Sequence, residues 1–137
     1  MTEFELIDLF TGLAPAEGEG VVVGIGDDAA ILRPPRGEDL VATVDAVVQG
    51  VHFDERFRPG EVGWKALAVN LSDVASMGAR PLWALCALAT PPDARPAYLV
   101  AVGKGLAACA RAHGTALVGG NVTRARDRTA AARWPSR

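Results

Sequence analysis

The sequence predicts a single α/β (α+β) domain in which helices cover a sheet. Two observations carry that expectation. Short β-branched runs bounded by glycine and proline alternate with stretches of helical length and helical apolar spacing. The chain has 137 residues, 50% of them hydrophobic, which suffices for one core and not for two substantial ones. With aromatics at 6% and 15 glycines, packing must rest on Ala, Val and Leu.

Phe4, Leu6, Ile7, Leu9 and Phe10 make one apolar side of a short N-terminal helix, with Thr2 as its N-cap. Gly12 to Gly20 is a loop by composition. Val21 to Ile25 is a β-branched run that stops at Gly26; Asp27-Asp28 and a second apolar stretch, Ala29 to Leu32, follow. Pro34, Pro35 and Gly37 break the chain, and Leu40 to Val44 reads as a strand delivering Asp45 at its end. A long helix is predicted from about Glu61 to Met77, where Trp64, Leu67, Leu71 and Val74 recur at helical spacing and Gly78 and Pro81 supply the stop. Leu82 to Ala89 is apolar on both alternations, as in a strand covered on both faces. Thr90-Pro91-Pro92-Asp93 turns the chain into a further helix, Arg95 to His113, closed by Gly114. Thr115 to Val118 is a short strand ending at Gly119-Gly120-Asn121, and no internal repeat is present.

The net charge of -2 hides an asymmetry. Arg124, Arg126, Arg128, Arg133 and Arg137 face one acid, Asp127, in residues 124–137, leaving 9 basic and 15 acidic residues in 1–123, a net of -6. An acidic body argues against a nucleic-acid surface and suits a protein that holds cations. No apolar run reaches the ~18–20 residues of a membrane span, and no signal peptide opens the chain. Cys86 and Cys109 lie in apolar surroundings without a CxxC pattern, so both read as buried free thiols of a cytoplasmic protein.

The polar residues fall where strands end. Asp27 and Asp28 follow the first strand, Thr43 and Asp45 close the next, and Asn121 follows the last. Asp73 sits in a mostly apolar helix with Asn70 one turn earlier. If the fold brings these ends together, four acidic side chains converge on one small region and repel one another unless cations occupy it. Carboxylates with a hydroxyl or carbonyl, and no thiolate or imidazole cluster, favour Mg²⁺ over Zn²⁺ and hence phosphate handling.

Each piece has a plainer reading. Asp27-Asp28 after Gly26 is on its own a turn, and Asp45 on its own a cap. Asp73, between Leu71 and Val74, must be exposed, paired or functional. His52 is equally a loop histidine satisfied by backbone or a substrate contact. Gly119-Gly120 is a strand-ending bend or a backbone that approaches a phosphate. No GxxxxGK[ST] phosphate loop occurs, and Gly24-Ile25-Gly26 lacks the third glycine of a dinucleotide fingerprint.

Taken together, Gly24-Ile25-Gly26-Asp27-Asp28-Ala29-Ala30, Thr43-Val44-Asp45, Gly50-Val51-His52-Phe53 and the run from Lys65 to Pro81, KALAVNLSDVASMGARP, resemble the thiamine-monophosphate kinase family. The resemblance runs from about Phe4 to Thr123, within a superfamily that includes aminoimidazole ribonucleotide synthetase and selenophosphate synthetase. It implies transfer of the γ-phosphoryl of ATP to thiamine monophosphate, giving thiamine diphosphate. It also implies that Asp27, Asp45 and Asp73 hold Mg²⁺ around the ATP phosphates, with Thr43 and the Val44 carbonyl as further ligands. His52 matches a position contacting thiamine phosphate, and Gly120 with Asn121 matches a Gly-Asp pair at the nucleotide phosphates. No side-chain nucleophile is needed for such a transfer. The resemblance further implies a four-stranded mixed sheet that pairs with that of a second subunit to close a barrel, making a homodimer.

Two departures from the family stand out. Asn121 replaces the Asp carried by most members, which predicts weaker binding of one Mg²⁺ rather than its loss. Family members run to about twice this length or more, so 1–123 is expected to be an N-terminal ATP- and Mg²⁺-binding domain, 124–137 an atypical arginine-rich tail, and the family's C-terminal domain absent from a truncated homologue. Two other readings remain open. One is a non-catalytic dimerisation or nucleotide-binding module, and the other is an ATP-dependent synthetase of the same superfamily acting on another substrate.

Overall fold

The computed structural model describes residues 11–125 together with Glu5 and Asp8. Glu5, Asp8 and residues 11–13 are helical, and the Thr11 hydroxyl donates to the Asp8 carbonyl at 2.9 Å. The apolar face predicted from Phe4, Leu6, Ile7, Leu9 and Phe10, its cap Thr2, and the arginines beyond Arg124 lie outside the described residues.

Six elements follow in order: β1 (Val21–Val23), β2 (Ile31–Leu32), α1 (Pro59–Ser76), β3 (Trp83–Thr90), α2 (Pro96–Ala112) and β4 (Ala116–Arg124). Helix α1 begins where Pro59 takes a position that needs no backbone donor, and the Glu61 carboxylate accepts from the Arg58 N–H at 2.7 Å. Both helices close in the same way. Gly78 and Gly114 adopt left-handed φ values of 70° and 61°. The next residues, Ala79 and Thr115, then donate back to the carbonyls of Val74 and Ala110 at 3.1 and 2.9 Å. The stop signals read from the sequence thus act through their backbone conformation.

The two helices pack closely against each other because glycines line the crossing. A Cβ on Gly63 would overlap the Val102 carbonyl oxygen, and one on Gly105 would overlap the Gly60 carbonyl. Beneath the crossing, Leu67, Leu106, Cys109, Ala110 and Leu117 form the main core, with Leu99 and Val102 continuing it toward Leu88 and Val122. Strands β3 and β4 run parallel and are joined through α2, a βαβ crossover that seats the helix on one sheet face. Strands β1 and β2 form a separate antiparallel hairpin. A strap, residues 13–20, ties that hairpin to the rest. Arg111 donates to the Leu13 carbonyl at 2.6 Å, the Leu117 N–H to Pro15 at 2.8 Å, and the Trp83 indole to Glu19 at 2.8 Å. Arg80 completes the strap with an ion pair to Glu19 at 3.0 Å.

Four expectations differ from the structure. The α/β class holds, but the described residues form two two-stranded sheets, not one of four strands. Leu40 to Val44 is not a strand, because no other segment among the described residues offers it a ladder; Val44 is 92% exposed. Strand β3 is covered on one face only: Leu85, at 72% exposure, and Ala87 and Ala89 point outward, while Cys86 and Leu88 pack inward. The last strand does not stop at Gly119. Gly120 and Asn121 pair with Cys86 and Ala87, so an available partner overrides the low strand propensity of Gly-Gly-Asn.

Cys86 is half-buried and Cys109 buried, and both are free thiols. Burial pushes both thiols above the ordinary value. Native protons are therefore held at a pH where the unfolded chain releases them. This contribution to stability is full below about pH 8.5 and shrinks as pH rises toward the native values. Urea midpoints are expected to fall between pH 8 and 10, and to fall less in a chain carrying Cys86→Ala and Cys109→Ala.

Candidate functional site

The segment after Pro34-Pro35 has no strand partner, and helix α1 takes its place. Asn70 and Asp73, three residues apart, lie on one face of α1. The Thr43 hydroxyl donates to Asp73 Oδ2 at 3.0 Å, and the Asp45 backbone N–H donates to Asn70 Oδ1 at 2.8 Å. The Asn70 amide group in turn donates to the Ala66 carbonyl at 3.0 Å, which fixes which end of the side chain faces Asp45. One helical turn thus fastens Thr43, Val44 and Asp45 beside Asp73. Ser76 caps the arrangement by donating to the Asp73 carbonyl at 2.7 Å. Leu40, Val41, Ala42, Thr43, Asp73, Ser76 and Met77 enclose an open groove of about 510 Å³.

The same helix reaches the next loop. Lys65 Nζ donates to the His52 carbonyl at 2.5 Å and sits 5.1 Å above the Phe57 ring. His52 Nδ1 accepts from the Val48 N–H at 3.0 Å, so the neutral ring carries its proton on Nε2. The plainer reading of His52, a loop histidine satisfied by backbone, holds at Nδ1, while Nε2 is left as an outward donor. Beside it Gln49, Gly50, Asp54, Glu55 and Arg56 border a shallow hollow, where the Arg56 guanidinium, 2.6 Å from Asp54, holds that carboxyl below the usual carboxylate range.

The predicted residues are gathered only in part. Thr43 meets Asp73, and the Asp45 backbone is held by Asn70 on the same helix face. Asp27 lies on the β1–β2 hairpin, where its Oδ1 accepts from the Asp28 N–H at 2.8 Å, the local turn contact its plainer reading describes. Asn121 lies in β4, its amide donating to Thr123 at 3.0 Å. Among the described residues, no three Asp, Glu, His or Cys side chains form a group able to hold a metal ion. In kind the donors at Thr43, Val44, Asp45 and Asp73 still suit a hard cation, being exposed carboxylate, hydroxyl and carbonyl oxygens, with Thr43 and Asp73 lining the groove itself. Gly120 carries a packing role as well: a Cβ there would overlap the Cys86 carbonyl across the β3–β4 ladder. The fastening roles of Asn70 and Lys65 did not emerge from composition. The signal that could have shown them is the polar spacing Lys65, Asn70, Asp73 along a mostly apolar helix.

Residues 26–132 match the family described as AIR synthase related protein, N-terminal domain. The chain belongs to this AIR synthase related family. The match enters on the Gly26-Asp27 turn and spans the groove, the helix pair and β4. Among its relatives, the thiamine-monophosphate kinase of Synechococcus elongatus is 42% identical over 127 residues, covering 92% of this chain and 37% of that protein. The crystal structure of thiamine-monophosphate kinase from Stenotrophomonas maltophilia superposes with a TM-score of 0.71 at 45% identity, covering 88% of this chain and 37% of that one. A second solved structure, AaThiL complexed with AMPPCP and TMP, superposes with a TM-score of 0.54 at 38% identity, over 56% of this chain and 25% of that one. This AIR synthase related chain therefore spans about 37% of the length of the curated relative it matches. No described helix is long and apolar enough to cross a membrane.

Proposed function

We propose that the chain is the metal- and nucleotide-phosphate-holding part of a cytoplasmic thiamine-monophosphate kinase. The observation that carries the reading is the fastening of Thr43 and Asp45 to Asp73 and Asn70, with Thr43 and Asp73 lining an open groove. The names of the relatives, and the AMPPCP and TMP bound by one solved neighbour, support the substrates. In this reading Asp45 and Asp73, with Thr43 and the Val44 carbonyl, would hold Mg²⁺; Asp27 and Asn121, which the structure engages within their own elements, are ligands by the family resemblance alone. The bound ion would supply positive charge against the ATP phosphates, which is the main requirement of phosphoryl transfer. A phosphate oxygen of thiamine monophosphate attacks the γ-phosphorus of ATP, the bond to the β-phosphate oxygen breaks, and ADP leaves. The His52 Nε2–H is suited to orient the accepting phosphate, and Gly120 brings backbone near the nucleotide phosphates.

Incubation of the chain with ATP, Mg²⁺ and thiamine monophosphate tests this. ADP and thiamine diphosphate formed in equal amounts support it. ATP consumed without thiamine diphosphate favours a synthetase with another substrate. Mg²⁺-dependent nucleotide binding with no turnover favours the non-catalytic module.

A homodimer belongs to the same proposal. Leu85 on β3 and Leu40, Val41, Val44 and Val48 on the unpaired segment are exposed apolar side chains that a second copy would cover. Pairing there would extend the strands into a four-stranded sheet closed as a barrel with its partner. A solution mass near twice 14.3 kDa is expected by light scattering. A mass of one chain at micromolar concentration would refute the pairing.

A further inference from the structure

We infer that Asn70 is a positioning residue for the proposed phosphate-handling groove, setting where Asp45 and the Val44 carbonyl stand relative to Asp73; the inference rests on the reading above.

The segment from Leu40 to Val48 forms no strand ladder, so the usual means of fixing backbone register is missing there. What replaces it is a polar row on α1. Going down the helix from Asp73 to Asn70 to Lys65, the partners go up the chain from Thr43 to Asp45 to His52. Segment and helix thus run in opposite directions with three fastenings.

The outer two fastenings differ from the middle one. Thr43 meets Asp73, itself a candidate ligand, and Lys65 meets the carbonyl of a loop that also has its own turn hydrogen bonds, His52 N–H and Val51 N–H to the Val48 carbonyl. Asn70 is neither a proposed ligand nor part of a turn. It grips the backbone N–H of Asp45 at 2.8 Å and anchors its own amide to Ala66 at 3.0 Å. Both ends of its side chain are thereby committed, so its carbonyl oxygen can present in only one direction. Asn is also a poorer helix former than Leu, Ala or Gln, so helix propensity does not account for it in mid-helix. Half-buried on α1 beside exposed Asp73, it holds the backbone from which the Asp45 carboxylate projects. Holding donors in place before the ligand arrives lowers the ordering cost of binding.

Asn70→Leu removes both hydrogen bonds at similar size while improving helix propensity. Asn70→Asp keeps an oxygen to accept from Asp45. The 137-residue chain and both variants are to be compared by amide hydrogen exchange at Asp45, by Mg²⁺-dependent AMPPCP titration and by thermal unfolding. In Asn70→Leu, Asp45 protection is expected to fall at least tenfold and AMPPCP affinity about tenfold, with the melting temperature retained. In Asn70→Asp, Asp45 protection is expected to be kept. Parental protection or parental affinity in Asn70→Leu overturns the inference, as does loss of protection in both variants alike. Failure of the parent chain itself to bind AMPPCP with Mg²⁺ overturns the functional reading and the inference with it, and is distinguished because the defect then precedes any substitution.

Discussion

Asp73→Asn is expected to weaken Mg²⁺-dependent nucleotide binding by at least about 100-fold, beyond the 10–100-fold that loss of an outer-shell partner usually costs. The substitution is nearly isosteric. An amide oxygen can still accept the hydrogen bond that Thr43 gives to Asp73 Oδ2 at 3.0 Å, so the groove keeps its shape. What disappears is one full negative charge from the donor set, and hard divalent cations depend on that charge. Asp73 is exposed, so its replacement leaves no buried group without a partner and the melting temperature should change little. Titration with AMPPCP in the presence of Mg²⁺ checks the prediction. An unchanged affinity would remove Asp73 from the site.

The second large effect is on stability. Gly105→Ala should destabilise the chain by about 1–3 kcal/mol, the usual cost of overpacking a filled interior, and lower the melting temperature by about 4–12 °C. Alanine normally favours a helix over glycine by about 1 kcal/mol, so propensity alone predicts the opposite sign. The clash decides it, because the added Cβ meets the carbonyl of Gly60, which is backbone and has no rotamer in which to move aside. Relief requires the two helices to separate, which opens the core at Leu67, Leu106 and Cys109. Gly63→Ala, which meets the Val102 carbonyl, should behave alike. Thermal unfolding followed by circular dichroism reads both. A rise in melting temperature for either would show that the helices do not cross as described.

Helices were the most legible part of the sequence. Their boundaries are set locally, by Pro59 and Pro96 at the starts and by Gly78 and Gly114 at the ends, and those residues act within a turn or two of themselves. Strands were less legible because a strand is defined by its partner. Leu40 to Val44 has strand composition and no ladder, whereas Gly119-Gly120-Asn121 has poor strand composition and a ladder with β3. The outward side of β3 misled for a related reason. Leu85 reads as buried from its neighbours' hydrophobicity, and only the placement of α2 on a single face shows otherwise.

The site divides along the same line. Residue type and position single out Thr43, Asp45 and Asp73, and α1 fastens Thr43 through Asp73 and the Asp45 backbone through Asn70, across 25–30 residues of chain. The same grounds point to Asp27 and Asn121, yet each is engaged in a contact of its own element. The part played by Asn70 and Lys65 depends on which face of α1 meets an unpaired segment, and that is a property of the assembled fold.

In the proposed function the groove beside Asp73 holds a nucleotide's phosphates through a divalent cation. Calorimetric titration of the chain with AMPPCP, with Mg²⁺ and again with a chelator in its place, tests it most directly. Saturable binding with Mg²⁺ that is lost with the chelator is the expected result. Equal binding in both conditions, or none in either, would contradict it.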